Sequence, residues 1–165
     1  GRLVKLSAIA RMGNWISNLN GLLDLFVQPN CPLCQRPTSQ VFCYDCKRQL
    51  QRCQMPNPKQ FWRGELPIFP WGRYGGAMKR ALKVLKYDHQ PQIAQPLGYW
   101  LADAWLKSSL APGMKLTVVP IPLHAKKLSD RGFNQAELLA QSFCQVTGLS
   151  LQGDGLERVR DTKPQ

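Results

Sequence analysis

The chain has 165 residues, 44% of them hydrophobic and 19% charged, which allows one moderate core with a small appendage. Thirteen Pro and thirteen Gly are above average usage but not enough to signal disorder, and no run is apolar for long enough to span a bilayer as a helix. With 22 Lys+Arg against 10 Asp+Glu the formal charge is +12, which points to polyanionic partners: nucleic acid, phosphorylated metabolites or an acidic membrane face.

The first stretch, 1–28, reads as a helical lead-in. Trp15, Ile16, Leu19, Leu22, Leu23, Phe26 and Val27 recur at three- and four-residue steps, and Pro29 stops the pattern. Asp24 interrupts the apolar run and no small-residue cleavage site follows, so a signal peptide is rejected. The start at Gly1 and the stop at Gln165 are read as the ends of a fragment.

Residues 29–60 are expected to form a four-cysteine zinc-binding module. Cys31-Pro-Leu-Cys34 and Cys43-Tyr-Asp-Cys46 are two CxxC pairs separated by eight residues. Each pair aims two sulfurs at one point, and together they supply the four thiolates of a tetrahedral structural zinc. Zinc is favoured over disulfides or an iron centre, and with four thiolate ligands its expected role is scaffold. It would lower the net charge by about two. Cys53 has no partner cysteine in reach and is read as a free thiol. Thiols kept for metal imply a reducing, cytoplasmic compartment.

After a linker near 54–64, residues 61–165 open a second unit. Leu66–Trp71 is expected to be a strand. A helix is expected over Ala77–Tyr87, with Met78, Ala81, Leu82 and Leu85 inward and Lys79, Lys83 and Lys86 as a basic edge. No acidic residue lies between Leu66 and Tyr87, so this edge is a candidate nucleic-acid surface as well as a plain solvated face. The next helix carries Leu97, Trp100, Leu101 and Ala104 inward, with Trp105 at its edge. Leu116–Leu123 suits a buried parallel strand. A basic loop, His124 to Gln135, leads to a helix over Ala136–Thr147 with Leu139, Phe143 and Val146 inward and Cys144 in the core. Strand, basic loop and helix make half of a βαβ unit. Its loop, with Lys126, Lys127 and Arg131, lies where open α/β sheets bind anions. Asn134 can cap the following helix. His124 is read as a loop residue or phosphate donor rather than a general base. No Ser/His/Asp arrangement, GxGxxG or P-loop is present.

Arg73-Tyr74-Gly75-Gly76, Leu85-Lys86-Tyr87, Val119-Pro-Ile-Pro-Leu-His124, Arg131-Gly-Phe-Asn-Gln-Ala-Glu137 and Arg158-Val-Arg-Asp-Thr-Lys-Pro-Gln165 follow the paired CxxC motif. Together they resemble the ComF family, over roughly Leu22 to Gln165. The resemblance implies an α/β fold, with a zinc ribbon or knuckle before a partial type I phosphoribosyltransferase-like domain, and a link to competence and DNA uptake. It implies that Pro122, Leu123 and His124 begin a pyrophosphate-contacting loop and that Arg131, Asn134 and Gln135 match its signature. It also implies that Arg158, Arg160, Thr162 and Gln165 open a mobile segment over an active site.

The chain departs from that family where the ribose of phosphoribosyl pyrophosphate would be held. No Asp-Asp pair occurs in the sequence, and only Cys53 stands where many relatives carry a further CxxC. A whole parent is expected to displace pyrophosphate from C1′ with Mg²⁺, as a glycosyltransferase, and this chain alone to be inactive. The expectation from the other class is a non-catalytic module for single-stranded DNA or a DNA-uptake partner. It would bind through Lys79, Lys83, Lys86 and the Arg36, Lys47, Arg48 and Arg52 of the cysteine module.

Overall fold

The computed structural model describes residues 28–110, 113 and 115–160. The expected N-terminal helix, Thr162 and Gln165 lie outside them. The described residues form five α-helices and one two-stranded sheet, in the order α1 (Tyr44–Gln51), α2 (Gly76–Tyr87), α3 (Ala94–Lys107), β1 (Thr117–Val118), α4 (Ala125–Arg131), α5 (Gln135–Thr147) and β2 (Ser150–Leu151). Short 3₁₀ turns at Pro58–Phe61 and Pro91–Ile93 precede α2 and α3. The fold is mixed and helix-rich, with little sheet.

One core runs from the cysteine module into the helices. Cys31, Phe42, Cys46 and Leu50 are buried together with Ala77, Met78, Ala81 and Leu85 of α2 and with Ile93, Ala94 and Leu97. The i, i+3, i+4 spacing of apolar residues on α2 produces that face directly, and leaves Lys79, Lys83 and Lys86 pointing elsewhere. Trp100 sits between Phe42 and Trp71, with ring centroids 6.0 Å and 5.8 Å away. Trp62 and Phe69 meet Trp105 edge-on, each at 5.2 Å. Trp105, expected at the edge of its helix, is therefore buried, and Leu101 is only half-buried.

The strands differ most from expectation. Leu66–Trp71 forms no strand: Leu66 and Ile68 are exposed, and pairing nearby is limited to the single antiparallel bridge Gln54↔Gly72. Pro67 and Pro70 explain this, since neither has an N–H to give a ladder. The expected strand Leu116–Leu123 shrinks to Thr117–Val118 for the same reason, with Pro120 and Pro122 following. Thr117 and Val118 pair in parallel with Ser150 and Leu151, which the sequence did not single out, so β1–α4–α5–β2 forms a small parallel crossover. Val146, expected inward on α5, is exposed, and Cys144 is half-buried.

α5 is held against α3 by the largest helix–helix contact among the described residues. Gly98 permits it: a Cβ there would lie 2.5 Å from Ser142 Cβ and 2.8 Å from the Leu139 carbonyl oxygen.

Candidate metal centre and basic cleft

Pro29–Thr38 folds as a tight hairpin, closed by Cys31 N–H to the Arg36 carbonyl at 2.8 Å and Thr38 N–H to the Pro29 carbonyl at 2.9 Å. Gln35 takes the left-handed conformation at its turn, with φ 62°. The second CxxC is the start of α1: Cys43 is its N-cap and Cys46 lies in its first turn. The N-terminus of α1 therefore carries two of the four clustered sulfurs. The four ligand sulfurs lie within 4.8 Å of one another, with Cys34 and Cys43 sulfurs 3.5 Å apart. Sulfurs around a tetrahedral zinc at the usual bond length stand roughly 3.8 Å apart. These four residues can therefore hold one metal ion.

The electrostatics agree. Burial pushes the Cys31 thiol up, but amide hydrogen bonds at Cys43, Leu33 and Cys34, with the Cys34 thiol, outweigh it and bring it to about 7. Burial, and then the sulfurs of Cys34, Cys43 and Cys31, push the Cys46 thiol far up. Four thiolates at one point repel one another, and a divalent cation at their centre removes that conflict. Cys53 stands outside the cluster; its thiol meets the Gln49 carbonyl at 3.5 Å. Arg36 pairs with Asp45 at 2.6 Å on the surface.

A second site lies on the other side of α2. A cleft of about 1030 Å³ is walled by Lys79, Leu82, Lys83, Lys86 and Tyr87 of α2 on one side. Leu123, Lys127, Asp130, Arg131 and Gln135 form the other wall, and Tyr74, His89 and Arg158 complete the lining. Six lysine and arginine side chains thus share the lining with one carboxylate. The segment expected as a basic loop is in fact the short helix α4. His124 caps it, with Nδ1 3.4 Å from the Lys126 amide, and Gly132 ends it at φ 81°. That helix brings Lys127 and Arg131, one turn apart, to the same wall. The Arg131 guanidinium lies 5.8 Å from the centroid of the Tyr87 ring and donates to Gln135 Oε1.

The cleft joins three sets of residues that the sequence treated separately: Lys79, Lys83 and Lys86 from one, Leu123, Lys127, Arg131 and Gln135 from another, and Arg158 from the expected mobile segment. Pro122, His124, Lys126, Asn134 and Arg160 do not line it. Asn134 is occupied structurally: its Oδ1 accepts from the Ala136 amide at 3.0 Å and its Nδ2 donates to the Ile121 carbonyl at 3.1 Å. Tyr74, Leu82, Tyr87, His89 and Asp130 were not picked out as site residues. Leu82 and Tyr87 had a usable signal, lying three or four residues from the basic positions of α2.

In kind, the described residues set a cluster of four cysteines that can hold a metal ion in the core, with a cationic cleft beside it. Competence protein ComFC of Bacillus subtilis is 30% identical over 112 residues, covering 67% of this chain and 43% of the relative. The DNA utilization proteins YhgH of Salmonella typhimurium and Salmonella typhi are each 28% identical over 137 residues, covering 82% of this chain and 56% of theirs. These relatives bear out the resemblance to the ComF family. The chain spans about half the length of the curated relatives it matches. No family model matches it, and no solved structure matches it significantly. Among the described residues, no helix is long and apolar enough to cross a membrane.

Proposed function

We propose that this chain is a zinc-anchored part of a competence or DNA-utilisation protein, and that its cleft binds a phosphate-rich ligand. The observation that carries this reading is the convergence of six basic side chains from α2, α4 and the 158 region on one cleft containing a single carboxylate. Such a field neutralises several anionic oxygens at once and needs no nucleophile. Zinc at Cys31, Cys34, Cys43 and Cys46 holds the hairpin and α1 against α2, which forms one wall. Thiolate ligands persist in a reducing compartment, which supports a cytoplasmic setting.

In a protein of the relatives' length, the finer reading is a type I phosphoribosyltransferase-like domain. Leu123, Lys127, Arg131 and Gln135 then hold the pyrophosphate of phosphoribosyl pyrophosphate, and Mg²⁺ adds charge neutralisation on the leaving group. A second reading keeps the cleft and changes the ligand to single-stranded DNA. It is favoured by Tyr74 and Tyr87, which are 70% and 57% exposed at the cleft and offer faces for base stacking.

Calorimetric titration of the zinc-loaded chain with inorganic pyrophosphate at low salt tests the shared claim. Binding is expected, with loss in the Lys83→Glu/Lys127→Glu double variant. Absent binding, or binding that the double variant leaves intact, overturns it. Displacement of pyrophosphate by a 20-nucleotide single strand would mean that both ligands use the same cleft.

A further inference from the structure

The lysines on α2 are exposed or half-exposed residues on long stems, so each must be ordered when it meets an anion. Arg131 is different. It is half-buried at the last position of α4, its Nη1 donates to Gln135 Oε1, and its guanidinium lies against the ring of Tyr87, the last residue of α2. A guanidinium held at one edge by a carboxamide and on one face by an aromatic ring keeps its remaining N–H groups in a fixed fork. That is the geometry a phosphate accepts in bidentate fashion. The same contact joins the two walls of the cleft.

We propose that Tyr87 is a positioning residue of the anion site: its ring orients the Arg131 guanidinium and fixes it before ligand arrives. This rests on the reading of the cleft as an anion site. The ring, and not the hydroxyl, is what matters, because cation–π attraction comes from the aromatic face. A preset donor loses less side-chain freedom on binding, so affinity falls when the ring is removed.

The test is calorimetric titration of the zinc-loaded chain with inorganic pyrophosphate, in wild type and in Tyr87→Phe, Tyr87→Leu, Arg131→Ala and Tyr87→Leu/Arg131→Ala variants. Tyr87→Phe binds as wild type. Tyr87→Leu binds about two- to fivefold more weakly, the factor that a partly exposed cation–π contact carries. With Arg131→Ala already present, Tyr87→Leu has no further effect. Tyr87 is 57% exposed, so melting temperatures should stay close to wild type. Tyr87→Leu affinity equal to wild type, or an equal loss in the presence and absence of Arg131, overturns the role of Tyr87 and leaves the cleft reading standing. No binding by wild type overturns the cleft reading and this inference together.

Discussion

Gly98 is where α3 packs against α5, the helix whose first residue lines the cleft, and Gly98→Ala is the sharpest way to disturb that joint. The added Cβ would lie 2.5 Å from Ser142 Cβ, against a favoured carbon–carbon separation of roughly 3.5–4.0 Å. The Leu139 carbonyl oxygen at 2.8 Å and the Phe143 amide nitrogen at 3.3 Å are backbone atoms and cannot rotate away. α3 and α5 must therefore separate by about 1 Å, an overpacking that costs roughly 1–3 kcal/mol. For a chain of this size that corresponds to a fall in melting temperature of about 3–10 °C. Because α5 begins at Gln135, which holds Arg131, the shift should also weaken pyrophosphate binding. Differential scanning calorimetry and titration of the same sample measure both effects. A melting temperature within about 1 °C of wild type would refute the packing argument.

Three further outcomes follow from particular contacts. Cys46→Ser should abolish stoichiometric zinc and lower the melting temperature much more than Cys53→Ser, since Cys46 belongs to the sulfur cluster and Cys53 does not; metal analysis with calorimetry decides this. Asn134→Ala removes the cap of α5 and the tie to the Ile121 carbonyl, and urea unfolding should register a loss of about 0.5–2 kcal/mol. Asp130→Asn removes the one carboxylate in the cleft lining and should strengthen pyrophosphate binding; weaker binding would mean that Asp130 helps to hold the ligand.

Several features were readable from local chemistry alone. The CxxC spacing already specified the sulfur cluster, because each knuckle is a closed local turn. α2 begins within one residue of its expected start and ends where expected, since its apolar period and flanking glycines act within a few residues. Asn134 and Gly148 mark the ends of α5 as cap and left-handed stop. Proline-rich apolar runs misled, because Leu66–Trp71 and Leu116–Leu123 have strand-like hydrophobicity without enough N–H groups for a ladder. The helix α4 was missed because its residues are polar, although Gly132 was a visible stop signal. The cleft itself was out of reach: α2 and α4 lie far apart along the chain, and only the fold makes their cations one surface.

If both walls of the cleft serve one polyanion, its affinity must carry the charge of both, and the salt dependence of oligonucleotide binding measures this most directly. With all six lysine and arginine side chains engaged, single-strand affinity should fall about 300-fold between 50 and 200 mM salt, a log–log slope of roughly −4. In the Lys83→Glu/Lys127→Glu variant the slope should ease to about −3 and the affinity should drop at every salt concentration. A wild-type slope near zero, or a slope that the double variant does not change, would contradict it.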